Sequence, residues 1–251
     1  MRIAFVGGKG SGKSTCAAMF GRYLANCGLP VLALDAAVDR RLGALLGCLP
    51  SCWSAQHLGG ARPVVALGPD GLGPVDGPPT CPSALAADGV RLVATDALDL
   101  LMEHLVDGAG EYVVIDLAAD GAASARFDLT VLIAEPTRRA AELHRQHAER
   151  AAVEGAALCV LGNKTSDWGD AARLTEQMGD ALLGCVGHSA WVRAAERGTA
   201  GSITGLEPGN TVALSAMRSA LDGRRPRKMQ QGSPLSGHPA VVERAYSASR
   251  R

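Results

Sequence analysis

The sequence predicts an α/β fold: a doubly wound, mostly parallel sheet with helices on both faces. Three observations lead there. Short apolar runs alternate along the chain with segments of helical periodicity. Several runs stop at a turn-forming residue, at Gly7, Asp35 and Asp116. The first run feeds directly into a glycine-rich turn and a helix, the opening of a βαβ unit.

Arg2–Val6 is the first predicted strand, and a helix follows over about 13–27, ended by Gly28 with Pro30 beyond. Residues 31–34 form a second strand reaching Asp35, and a short helix over about 40–46 closes at Gly47. Residues 58–89 hold six prolines and seven glycines and are expected to form a long irregular loop. Further strands are expected at 90–94, 112–115, Leu129–Ala134, 158–161 and 182–186. Helices are expected at 97–106, 137–154, 171–178, 190–197 and 212–221, with Pro208, Gly209 and Asn210 as punctuation before the last. This gives one nucleotide-binding domain over 1–222 and a tail over 223–251, whose Gly, Pro, Ser and Arg content predicts disorder.

The composition, 47% hydrophobic and 20% charged, is that of a globular protein with a core, here mostly aliphatic because aromatics make up only 4%. Net charge is zero, yet the tail carries seven Lys/Arg against one acid, which leaves the body acidic. An acidic body argues against a nucleic-acid-binding face on the domain. The basic tail reads first as solubilising, with a nucleic-acid or membrane tether as the less favoured use. No apolar run has the length of a membrane span and the chain opens on a strand, so a cytoplasmic location is expected, with the seven scattered cysteines mostly free thiols.

Gly7-x-x-x-x-Gly12-Lys13-Ser14 fits the phosphate-binding P-loop pattern. Its glycines allow a tight turn that aims successive N–H groups at phosphate oxygens, and the following helix adds its positive N-terminal end. The expected contacts to ATP or ADP run through Gly8, Lys9, Gly10, Ser11, Gly12, Lys13, Ser14 and Thr15. Lys13 reaches the β- and γ-phosphates, and Ser14 ligates Mg²⁺. Asp116 ends the apolar run Val113-Val114-Ile115 in the Walker B manner and is a second expected metal ligand. Asp35, at the end of strand two, is a third, and Asp39 is a candidate for positioning the attacking water or, equally, a helix cap ahead of Arg40. Asn163-Lys164 follows an apolar run, and an Asn amide suits a nucleobase edge. Asp167 lies one residue too far for the guanine-reading Asn-Lys-x-Asp pattern, which favours adenine. His144 and His147 share a helix face, and Cys48-x-x-x-Cys52 sits at a helix end; both read as structural rather than metal-binding.

On the P-loop, Asp35 to Asp39, Val113 to Asp116, Phe127 to Thr137 and Gly162-Asn163-Lys164, most of residues 1–222 resembles the MinD/ParA/CooC group of ATPases with a deviant Walker A motif. The CooC-like members are the most similar. The resemblance implies ATP and Mg²⁺ binding, a nucleotide-dependent homodimer, a second, partner-facing lysine here represented by Lys9, and a protein partner switched by hydrolysis. Three departures accompany it. Lys9 is displaced by one position, Ala37 stands where the family has a water-orienting Asp, and Asp120 stands where the family has a γ-phosphate-sensing Gly. The paired Cys-x-Cys of nickel-inserting relatives is absent.

The resulting expectation is an ATP- or ADP-binding protein with slow or vestigial hydrolysis, whose nucleotide state switches dimerisation or a partner of unknown identity. One alternative is a competent Mg²⁺-dependent ATPase in which Asp39 or Asp35 replaces the missing carboxylate. Another is a small-molecule kinase or ligase resembling dethiobiotin synthetase, with segment 58–89 walling its substrate pocket.

Overall fold

The computed structural model describes residues 1–37, 39–48, 66–68, 71–73, 83–85, 90–94, 98, 102, 111–118, 127–197, 203 and 205–223. The tail beyond Gly223, Asp120, Cys52, Cys81 and most of the helix expected at 97–106 lie outside the described residues; Leu98 and Met102 of that helix are helical and buried.

The strands are β1 (Arg2–Val6), β2 (Val31–Ala36), β3 (Ala66–Gly68), β4 (Gly71–Gly73), β5 (Ser83–Leu85), β6 (Arg91–Ala94), β7 (Tyr112–Leu117), β8 (Leu129–Ala134), β9 (Ala157–Thr165) and β10 (Leu182–Gly187). The helices are α1 (Lys13–Asn26), α2 (Arg41–Leu45), α3 (Arg139–Glu154), α4 (Trp168–Met178), α5 (Ala190–Glu196) and α6 (Pro208–Asp222). Among the described residues eight strands form one sheet in the order β10-β9-β8-β1-β7-β2-β6-β5, parallel except for β5, which runs antiparallel to β6 at one edge. The doubly wound, mostly parallel sheet expected from the sequence is the fold observed. Within segment 58–89 the described residues, 66–68, 71–73 and 83–85, form β5 and the separate antiparallel pair β3–β4, and the rest of the expected irregular loop lies outside the described residues.

Strand β1 is central because nearly all of it can be buried. Ile3, Ala4 and Phe5 have no exposed surface, and β7 and β8 pair with β1 on its two sides. Alternate residues face opposite layers. Ile3 and Phe5 join one core with Cys16, Phe20 and Leu24 of α1 and with Leu214, Met217 and Leu221 of α6. Ala4 and Val6 join the other with Ala140 of α3 and with Leu174 and Met178 of α4.

Three boundaries moved by three residues or more, each for a local reason. Strand β9 runs four residues past the expected end at Leu161, because its pairing with β10 continues through Asn163 to Thr165. Asn163 and Lys164 therefore lie on the strand and not in the loop after it. Helix α4 starts at Trp168, three residues early, because the Asp167 carboxylate accepts from the Asp170 N–H at 2.9 Å and caps it. Pro208, Gly209 and Asn210, expected as punctuation, form the first turn of α6, where a proline loses nothing by lacking an N–H.

Helix α6 crosses β10 closely: a Cβ on Gly184 would stand 3.1 Å from both Cα and Cβ of Ala213. Gly184→Val therefore has to push helix backbone aside. It is expected to destabilise the fold by about 1–3 kcal/mol, read as a lower urea midpoint at unchanged slope.

Candidate nucleotide-binding site

The loop between β1 and α1 is shaped by glycines that no other residue can replace. At Gly7 (φ +146°) a Cβ would stand 2.7 Å from the Ile133 carbonyl oxygen, and at Gly12 (φ +91°) it would stand 2.2 Å from Asn163 Nδ2. Gly12 is also the N-cap of α1, and no side chain caps this helix. Its first N–H groups thus remain available to an anion at the positive end of the helix dipole. Lys13 is buried and its ammonium donates to the Gly7 and Gly8 carbonyl oxygens, each at 3.1 Å. Ser11 N–H donates to Gly8 O at 3.2 Å, and the buried Ser11 hydroxyl has no hydrogen-bond partner.

A cavity of about 740 Å³ opens over this loop, large enough for a nucleotide-sized ligand. Lys9, Gly10, Gly12, Lys13, Ser14 and Thr15 line one part of it. Ala37, Asp39, Leu117 and Ala118 line a second part, and Asn163, Lys164, His188, Ser189 and Arg193 a third. The sheet brings these together because they lie at or just after the carboxyl ends of β1, β2, β7, β9 and β10, where ligands of open α/β sheets bind.

Asp35 and Asp116 lie directly beside each other in the β2–β7 register, and both are fully buried. Burial pushes the Asp116 carboxyl up to about 7, with the neighbouring Asp35 adding to the rise while Ser14 and Lys13 oppose it. Burial likewise raises Asp35 to about 6, against the N–H groups of Gly43 and Ala37 and the charge of Arg40. The two acids are not equivalent. The Asp35 carboxylate accepts from the Ala37 and Gly43 N–H groups, each at 3.3 Å, and so shapes the turn into α2. Both Asp116 oxygens are buried without a hydrogen-bond partner, and the Ser14 hydroxyl lies on their side without closing a well-formed bond.

These oxygens fit Mg²⁺, which binds hard oxygen donors and draws much of its coordination from water and substrate phosphates. Among the described residues no group of three or more His, Cys, Asp or Glu is placed to hold a metal ion. Of the three expected metal ligands, Asp116 keeps both oxygens unpartnered and Ser14 lines the cavity, whereas the Asp35 carboxylate accepts from two backbone N–H groups.

Other expectations sort as follows. Lys9 is exposed at the cavity, and Ala37 is buried at its wall with no group able to orient water. Asp39 lines the cavity and does not cap α2, whose N-cap is Arg40 in a left-handed conformation (φ 48°) with its guanidinium on the Asp35 carbonyl. Asn163 differs from its expected base contact in one respect: its amide nitrogen donates to Ser11 O at 2.7 Å and so ties β9 to the loop. Arg41, His188, Ser189, Arg193 and Glu196 were not singled out in the sequence, although Arg41 and Glu196 form an ion pair at 3.0 Å on the cavity wall. Their only sequence signal is position, just after β2 and β10. The expected free thiols hold for Cys16, Cys27 and Cys185, and Cys159 is in the core.

The class this fold and loop define is the P-loop nucleotide-binding domain, and the family can be stated more narrowly. The chain belongs to the CobQ/CobB/MinD/ParA nucleotide-binding domain family, whose model matches residues 3–198. It is similar in fold to a chain of a MinC:MinD cell division protein complex from Aquifex aeolicus (TM-score 0.62, 17% identity, covering 95% of this chain and 100% of that one). A plasmid partition protein from Borrelia burgdorferi bound to AMPPNP is similar at TM-score 0.61 and 12% identity, over 88% of this chain and 99% of the other. A nucleotide-binding protein from Archaeoglobus fulgidus in complex with ADP matches at TM-score 0.58 and 18% identity, over 83% and 89%. No curated protein sequence matches significantly. Among the described residues no helix is long and apolar enough to cross a membrane.

The acid pair makes a pH prediction. Both carboxyls titrate above their unfolded values, so between about pH 4 and 7 the folded chain holds more protons than the unfolded chain, and stability falls as pH rises through that window. Without divalent cation the melting temperature is expected to fall from pH 5 to 8, and Asp116→Asn to flatten the fall. An equally steep decline in that variant would exclude Asp116 as its source.

Proposed function

We propose that the protein binds ATP and ADP with Mg²⁺ on the P-loop, hydrolyses ATP slowly, and uses its nucleotide state to switch its own dimerisation or a protein partner. The observation that carries the nucleotide reading is the cavity above a glycine-shaped loop, with an uncapped helix end, a buried lysine and an orphaned buried carboxylate around it. Lys13 would exchange the Gly7 and Gly8 carbonyls for phosphate oxygens, a charge-assisted replacement of neutral acceptors. Ser14 and Asp116 would hold Mg²⁺, which when bound neutralises charge on the β- and γ-phosphates. Asn163 and the residues after β10 would surround the base. The relatives support the ligand class: one solved structure carries AMPPNP, another ADP, and a septum-site MinD from Pyrococcus horikoshii carries Mg-ADP. The switching role draws on the MinC:MinD complex in the same way.

Slow turnover rests on Ala37. A methyl group at the cavity wall neither orients nor activates water, and losing one such group in a phosphoryl-transfer site lowers turnover by roughly 10²–10³-fold. A second reading, a competent ATPase, is favoured by Asp39, an exposed carboxylate on the same cavity.

The test is calorimetric titration of ADP and ATP with Mg²⁺, with light scattering to read mass and identification of any nucleotide that co-purifies. Lys13→Ala is expected to weaken binding by about 100-fold or more, equivalent to roughly 2.7 kcal/mol. Wild-type protein that binds neither nucleotide would defeat the reading. For hydrolysis, Ala37→Asp is expected to raise turnover by about tenfold or more, while Asp39→Ala leaves the slow wild-type rate unchanged. A rapid wild-type rate abolished by Asp39→Ala would establish the second reading instead.

A further inference from the structure

The carboxyl end of β9 reaches back onto the P-loop twice. Asn163 Nδ2 holds the Ser11 carbonyl, and the next residue, Lys164, donates from its ammonium to the Gly10 carbonyl oxygen at 2.7 Å. The same ammonium pairs with Glu135 Oε1, just beyond β8, at 2.6 Å. Three segments far apart in sequence thus meet at the apex of the loop.

Two further observations mark this contact. Lys164 is one of only two non-glycine residues with positive φ (59°) among the described residues, and it is the bulge between Asn163 and Thr165, whose partners Val186 and Gly187 are consecutive. A glycine would adopt that backbone without steric penalty, so the conformation does not explain the lysine. Gly10 is exposed, and no described atom lies within 4 Å of the position its Cβ would occupy. Hydrogen bonds hold the apex there: Lys164 on the Gly10 carbonyl, beside Asn163 on Ser11 and Ser11 on Gly8.

We propose that Lys164 is a positioning residue for the phosphate-binding loop: oriented by Glu135, its ammonium turns the Gly10 carbonyl outward so that the loop presents N–H groups to the nucleotide. The chemistry requires something of this kind. A carbonyl oxygen turned toward a polyphosphate would oppose binding, and a cation on that oxygen fixes the peptide the other way. Glu135 also needs the lysine, because an unpaired carboxylate beside the loop would repel the same anion.

The inference rests on the nucleotide-binding reading, and the test separates the two. ADP and ATP affinities and ADP release rates are measured with Mg²⁺ for wild type, Lys164→Ala, Lys164→Gly, Lys164→Arg, Glu135→Gln and the Lys164→Ala/Glu135→Gln double variant, with apo stability read by urea. Lys164→Ala and Lys164→Gly are each expected to weaken ADP binding by about tenfold or more, chiefly through faster release. Lys164→Gly should do so with an apo midpoint no lower than wild type, because it relieves the backbone. Lys164→Arg should recover most of the affinity, and Glu135→Gln should lose less than Lys164→Ala. The double variant should bind no more weakly than Lys164→Ala, because the repelling acid is gone. Wild type that binds nucleotide while Lys164→Gly binds equally well would overturn the inference alone. A loss seen in Lys164→Ala but not in Lys164→Gly would assign the effect to backbone and also overturn it. Wild type that binds no nucleotide would overturn the nucleotide reading itself, and the inference with it.

Discussion

The structure depends on holding an anion-ready loop at the edge of a dry core. Donors must outnumber acceptors there, so the peptides between β1 and α1 adopt conformations closed to most residues, and neighbours fix them in place. Gly7 sits against the Ile133 carbonyl of β8, and Gly12 against Asn163 of β9. The burial of β1 between β7 and β8 supplies the rigidity on which that placement rests. A loop so constrained is preorganised, and less ordering remains to be done when a ligand arrives.

The same layout explains the two acids below the cavity. Parallel strands in register place Asp35 and Asp116 side by side, and the surrounding core removes them from water. Such a pair is unfavourable unless hydrogen bonds or cations answer it. Asp35 is answered by backbone N–H groups, which fixes the turn toward Asp39 and α2. Asp116 is left without a protein donor, beside Ser14 and the positive end of α1. One acid thus builds the scaffold, while the oxygens of the other accept no hydrogen bond from it.

Much of this was legible in order along the chain. Glycine spacing, the apolar run ahead of it and the lysine–serine pair after it are local requirements, so residues 7–15 could be read without knowing what packs on them. Asp116 was legible for the same reason, since a carboxylate ending a wholly apolar run has few other roles. Asn163 was found but its partner was not, because its amide bonds to a residue 152 positions away. The end of β9 was misplaced because pairing with β10, a later strand, extends it. Arg41 and Glu196, 155 residues apart, carry no shared pattern that would have joined them.

By itself, the sequence determined the parallel α/β architecture, the glycine-shaped loop after β1 and the candidate groups for a phosphate or a metal. These follow from hydrophobic period, backbone freedom and side-chain chemistry, all written within a few residues of one another. Only the tertiary structure decided which acid is committed to a turn, which amide supports the loop and which lysine restrains its apex. Those assignments depend on the lateral order of the strands, which sets the neighbours of each carboxyl end.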